Sequence, residues 1–242
     1  MAQTNSGDRT HEWFVPAFGP LKFRVLMGLL FLPYTGMVLA YTVIGSMLAP
    51  AIQWERVMAI LLIYFLALGI GAHALDALGS KHIKPWGHVF SVRQLRLLAV
   101  FSLLAAYGIG IYYMLLHTPL LWLIAIPEGF FVLAYNLEWF KGRFHTDGWF
   151  ALSWGGLPVL AGYILQTNQI SLAALVISAA MGCLSLVEIK ASRPYKALKR
   201  VPTMDREEKD LSQIHTLENI LKSISLGVIL LAAGMAIWRG WV

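Results

Sequence analysis

Seven apolar stretches separated by short polar segments set the pattern of this chain: residues 25 to 48, 57 to 78, 95 to 116, 119 to 137, 149 to 166, 170 to 189 and 222 to 238. Each approaches the roughly 20 residues that cross a bilayer as a helix, the fifth and seventh being the shortest. A helix satisfies its backbone hydrogen bonds internally, which hydrocarbon demands, so the pattern predicts an all-α, polytopic transmembrane bundle of about seven spans. The polar segments are needed to join the spans, which leaves one transmembrane domain over residues 1–242 and no separate soluble domain.

Two flanking segments carry further structure. Residues 1–24 form a cytoplasmic or interfacial N-terminal segment, in which HEWFVPAFGPLKFRV (11–25) mixes aromatic with basic side chains and lies in the interface as an anchor or a lid. Residues 191–221 are predicted as a cytoplasmic loop with a short helix, because TMDREEKDLSQIHTLENILKS opens on a capping Thr203 followed by acidic residues in the first turn.

Composition agrees: 58% of residues are hydrophobic and 13% charged, with a mean hydropathy of +0.65, values that exclude an ordinary soluble domain. Cys183, the single cysteine, sits inside an apolar run, so neither a disulfide framework nor a cysteine metal site can be built within one chain. The N-terminal MAQTNSGDRTHEWF lacks the pattern of a cleaved secretory signal, so the first span is expected to remain in the mature protein.

Charge fixes the orientation. With seven spans, all Lys and Arg except Arg56 and Arg239 fall on one side, and the excess marks that side as cytoplasmic with the N-terminus inside. The net charge of +6 is therefore a topology signal of a protein in the cell (cytoplasmic) membrane, and nucleic-acid binding is a poor reading of it. Anionic lipid or a diphosphate head group suits that basic face.

Ionisable residues inside apolar runs are few, and each is costly in hydrocarbon unless it meets a partner, so each is a candidate for function. His73 and Asp76 share one face near the cytoplasmic end of the second span; both suit a divalent metal, or Asp76 fixes the tautomer of His73, or the pair ties helices together. Glu128, between Pro127 and Gly129 in the fourth span, lines a substrate cavity or packs against a polar neighbour, and Asn136 lies two turns further on a similar face. Glu188 ends the sixth span at about the depth of Asp76. Carboxylates from two helices under a basic rim could hold Mg²⁺ and, through it, a diphosphate, with Lys190, Arg193, Lys196, Lys141 and Arg143 binding the remaining phosphate oxygens.

In this order the features resemble those of the UbiA superfamily of intramembrane prenyltransferases, whose second helix ends in NDxxDxxxD and whose sixth ends in DxxxD. Here AHALDALGS keeps Asp76, with Ala72, His73 and Ser80 at the other motif positions, and EIKAS carries Glu188 and Ser192. AYNLEWFKGRF resembles the family's Tyr and Lys segment through Tyr135, Asn136 and Lys141; WGGLPVLAGY resembles its fifth helix and FRVLMGLLFLPYTGMVLAY its first. The family usually has nine spans against seven here. The resemblance implies metal-assisted ionisation of a polyprenyl diphosphate and capture of the allylic cation by a lipid or aromatic acceptor. Asp76 and Glu188 would hold Mg²⁺ and His73 would serve as ligand or base; a set containing His suits Zn²⁺, Fe²⁺ or Mn²⁺ as well.

Two rival readings share these residues. A noncatalytic membrane protein could use the bundle to bind lipid, quinone or pigment, or serve as a subunit of a larger complex. A transporter with Glu128 in a proton path is weaker, since repeated halves are not evident. An enzyme requires His73, Asp76 and Glu188 to converge on one cavity.

Overall fold

The structure, a computed structural model, describes residues 9–10, 12–79, 86, 89–202 and 205–240. Ser80 and Thr203, singled out above, lie outside the described residues. Seven helices are long and apolar enough to cross a membrane: Leu21–Met47, Trp54–Gly79, Val92–Leu116, Pro119–Asn136, Asp147–Thr167, Leu172–Arg200 and Glu208–Gly240. They are called the first to seventh spans below. Local chemistry sets several of their starts. Ser91 and Gln94 close a reciprocal capping box before the third span, and the hydroxyls of Thr146 and Ser171 accept the Trp149 and Ala174 amides at the fifth and sixth.

The first and fifth spans are the centre of the bundle. The most apolar 18-residue window is 72% buried in the fifth and 22% in the seventh, which places the fifth among its neighbours and leaves most of the seventh to face outward. The outward faces carry Leu104, Leu115, Ile126, Leu172 and Ile237, as lipid-facing positions should. The first span packs against the fifth and seventh, the sixth against the fifth and seventh, and the second against the third. Where backbones meet, glycine is required. A Cβ on Gly45 would collide with the Val159 carbonyl, and one on Gly162 with the Thr42 carbonyl, so the first and fifth spans approach as closely as chains can.

The two basic residues on the sparsely charged side are structural. Arg56 donates to the Leu165 and Gln166 carbonyls at 2.9 and 3.2 Å, and Arg239 to those of Ala49 and Pro50 at 2.6 and 2.9 Å. Both satisfy carbonyls left over near the ends of neighbouring spans.

The expected loop of residues 191–221 is helical over most of its length. The sixth span continues through Pro194 to Arg200, and the seventh begins at Glu208. From Glu208 to Leu226 the sequence holds neither Gly nor Pro, and Glu218 pairs with Lys222 one turn on at 2.6 Å, so nothing ends a helix before the last apolar run. At about 1.5 Å per residue, the 33 residues of this helix exceed the hydrocarbon thickness of about 30 Å, and its charged first turns stand beyond it.

Candidate functional site

Irregular backbone frames the basic end of the bundle. The first span breaks at Phe31, a non-glycine residue in the left-handed region at φ 44°, where such a residue costs about 1–3 kcal/mol. The second span widens into a π-helix over Phe65–Ala72, immediately before His73, and the fifth does so over Ala151–Gly156, around Trp154. Extra residues in a helical turn change which side chains face inward, and such segments are frequent at functional sites.

These distortions bring together the ends of five spans around a cavity of about 410 Å³. Phe31 and Tyr34 of the first span, His73 and Asp76 of the second, Tyr135 and Asn136 of the fourth, Phe150 and Trp154 of the fifth, and Glu188, Ser192, Arg193 and Lys196 of the sixth all line it. Arg9, Glu138, His145, Ile189 and Arg200 complete the wall. Thus His73, Asp76, Asn136, Glu188, Arg193 and Lys196, which lie far apart in sequence, share one chamber.

Its two faces differ. On the aromatic face, the His73 ring stacks on Phe31 at 4.8 Å and 20° and meets Trp154 at 5.4 Å, while its Nε2 lies 3.4 Å from Thr35 Oγ1. His73 is 8% exposed and Glu188 4%. On the charged face, Lys196 Nζ stands 5.5 Å from the centre of the Phe31 ring, and Arg9, Asp76, Glu12 and Glu188 all act on it electrostatically. Arg193 pairs with Asp147 at 3.0 Å and donates to the His145 carbonyl at 3.2 Å. His145 stacks on Tyr135 at 4.3 Å and donates from Nδ1 to the Tyr135 carbonyl at 3.1 Å, which leaves Nε2 as its remaining ring nitrogen.

The N-terminal segment helps to build this site. Arg24 donates to the Pro16 and Thr10 carbonyls at 2.8 and 2.7 Å, and Tyr195 Oη donates to Glu12 Oε2 at 2.7 Å. These bonds fold residues 12–20 against the first and sixth spans. Phe14 then packs on Phe31 at 4.8 Å, and the Arg9 guanidinium lies over the same ring at 5.5 Å. The expected anchor or lid is a strap that supplies part of the wall.

Other sequence expectations separate from this cavity. Lys141, Arg143 and Lys190 are exposed and do not line it; Lys141 belongs to a turn in which Glu138, Phe140 and Lys141 all adopt left-handed backbone. Glu128 lines a different cavity, where it pairs with Tyr64. Asn136 lines the chamber and donates to the Val132 carbonyl at 2.8 Å. Among the described residues no group of three or more His, Cys, Asp and Glu could hold a metal ion, and His73, Asp76 and Glu188 do not form one. The stacking of His73 between Phe31 and Trp154 gives a physical reason, since it holds the ring against apolar faces.

Arg9, His145, Phe31 and Trp154 were not expected at the site. Arg9 depends on the strap, Phe31 on the left-handed break and Trp154 on the π-helix of the fifth span, while His145 lies in the segment between the fourth and fifth spans. Compared with protein-family models, curated proteins and solved structures, the chain matches none.

Proposed function

We propose that this protein is an intramembrane prenyltransferase of the UbiA type, which holds the anionic head of a polyprenyl diphosphate in the chamber at the basic end. The observation that carries this reading is the convergence of His73, Asp76, Asn136, Glu188, Arg193 and Lys196 on one cavity with an aromatic wall. Lys196, Arg9, Arg193 and Arg200 supply cations for phosphate oxygens, the arginines in paired geometry. On this reading the bond between the allylic carbon and the diphosphate oxygen breaks heterolytically, and the electron pair leaves with the diphosphate toward those cations. The allylic cation then faces Phe31, Tyr34 and Trp154, whose ring faces attract positive charge. The acceptor donates an electron pair to the allylic carbon, and its proton passes to His73. Asp76 and Glu188 both line the chamber; together with the diphosphate oxygens they would hold Mg²⁺, which would supply further positive charge to the leaving group beside the chain's own cations.

His73 and Ser192 stand in the chamber where the family's motifs carry Asp, which favours a second reading, a noncatalytic protein that binds an anionic isoprenoid lipid. Release of diphosphate with formation of a prenylated lipid distinguishes the two.

The test is binding of a nonhydrolysable geranylgeranyl thiodiphosphate to the purified protein, with and without Mg²⁺. Lys196→Glu is expected to weaken binding by at least about 10-fold, because a like charge within the chamber costs more than about 1.4 kcal/mol. Inorganic diphosphate should compete. Affinity unchanged in Lys196→Glu, in a variant with a wild-type melting curve, would remove the head-group assignment.

A further inference from the structure

The second, third, fourth and fifth spans enclose another cavity, of about 60 Å³, deeper in the bundle. Leu68 and Val132 line it, one turn or slightly more before His73 and Asn136 of the chamber above. Its wall is apolar apart from Tyr64, Tyr107 and Glu128. Tyr64 Oη donates to Glu128 Oε1 at 3.0 Å. Tyr107 is engaged elsewhere: it donates to the Ala125 carbonyl at 3.0 Å and occupies the space that a Cβ on Gly129 would need. Glu128 Oε2 is buried and has no hydrogen-bond partner. Among the described residues no Lys, Arg or His lines the cavity.

We propose that this cavity is a second binding site, for a short-chain alcohol of a few carbon atoms whose hydroxyl group pairs with Glu128 Oε2. A hydroxyl both donates and accepts, so it completes the carboxyl group whichever oxygen carries a proton. An ammonium would bring three donors to a wall with one open partner, and a phosphate would meet no cation there. Water is a poor occupant for the same reason: buried waters typically make about three hydrogen bonds, whereas this wall offers one free polar atom. Apolar side chains around a single unpaired oxygen match one hydroxyl group, and about 60 Å³ leaves room for only a few carbon atoms beside it. The site is independent of the prenyl-transfer reading, because none of its polar residues lines the upper chamber.

Photolabelling of the purified protein with 3-azibutanol, mapped by peptide mass spectrometry, tests this site. Saturable labelling within residues 60–68, 106–114 or 121–132, competed by 1-butanol, is the expected result. Glu128→Gln, whose amide also donates and accepts, should keep the apparent affinity within about threefold, and Glu128→Leu should lower it at least about 10-fold. Ala67→Leu, which fills the cavity and leaves Glu128 in place, should abolish labelling there. Unsaturable labelling, labelling confined to other segments, or equal labelling of Glu128→Leu and the native protein would each overturn the assignment. Should Glu128→Leu fail to fold, the native map and Ala67→Leu decide the matter.

Discussion

Asp76→Asn is expected to lower prenyl transfer by at least about 100-fold, while the melting temperature stays within a few degrees and thiodiphosphate affinity within a few-fold of the native values. Asn keeps the shape of the side chain, so packing at the end of the second span is preserved. What disappears is a negative charge that acts on both His73 and Lys196. A fixed charge beside a proton acceptor and a phosphate-binding cation acts most strongly when charge develops in the transition state, and losing one such group typically costs about 10²–10³ in rate. The measurement is product formation by mass spectrometry with saturating prenyl diphosphate and a membrane lipid extract as acceptor. Native turnover in Asp76→Asn would remove Asp76 from the mechanism, and absence of product from the native protein would leave the noncatalytic reading.

The second large effect concerns the scaffold. Gly162→Leu is expected to destabilise the protein by about 3 kcal/mol or more, read as a fall in melting temperature and a loss of monodisperse protein in detergent. A Cβ at residue 162 would run into the Thr42 carbonyl and the Ser46 amide. There the Ser46 hydroxyl donates to the Thr42 and Gly162 carbonyls at 2.9 and 3.4 Å. A rigid helix cannot yield locally to such an intrusion, so the first and fifth spans must separate along their length. Within lipid this contact is driven by close packing, with no hydrophobic gain between helices to offset the separation. Phe31 and Trp154 ride on those two spans, so the chamber should open as the scaffold weakens. Gly227→Leu is the control, since a Cβ there meets nothing within 4 Å. Equal stability of the two variants would show that the first and fifth spans do not depend on their glycine contact.

How much of this could be read from the chain alone follows from what each signal depends on. The spans depend on local hydropathy, and all seven coincide with helices to within a few residues, apart from the extensions of the sixth and seventh. Those extensions are amphipathic and charged, and a search for apolar runs stops where they begin. The convergence of His73, Asp76 and Glu188 was expected because helix ends on one side of a membrane share a depth. Which basic residues join them was expected only in part: Arg193 and Lys196 line the chamber, whereas Lys190 on the same helix does not. Helical phase decides that, and it requires knowing where the helix packs. Glu128 posed the same difficulty along the other axis, since the sequence shows a carboxyl group in an apolar run but not which cavity it borders. The strap is beyond sequence reasoning of this kind, because Arg24 and Tyr195 fix it through contacts that span up to 183 positions of chain.

The left-handed backbone at Phe31 sets stability against purpose. Glycine would adopt that conformation without strain, so a bulky aromatic there makes the folded protein less stable than its fold permits. In return an aromatic ring is presented to the His73 imidazole and to the cationic side chains of Arg9 and Lys196. Heat resistance and occupancy of the chamber therefore pull in opposite directions at this position, and a lineage selected only for hardiness would drift away from the ring.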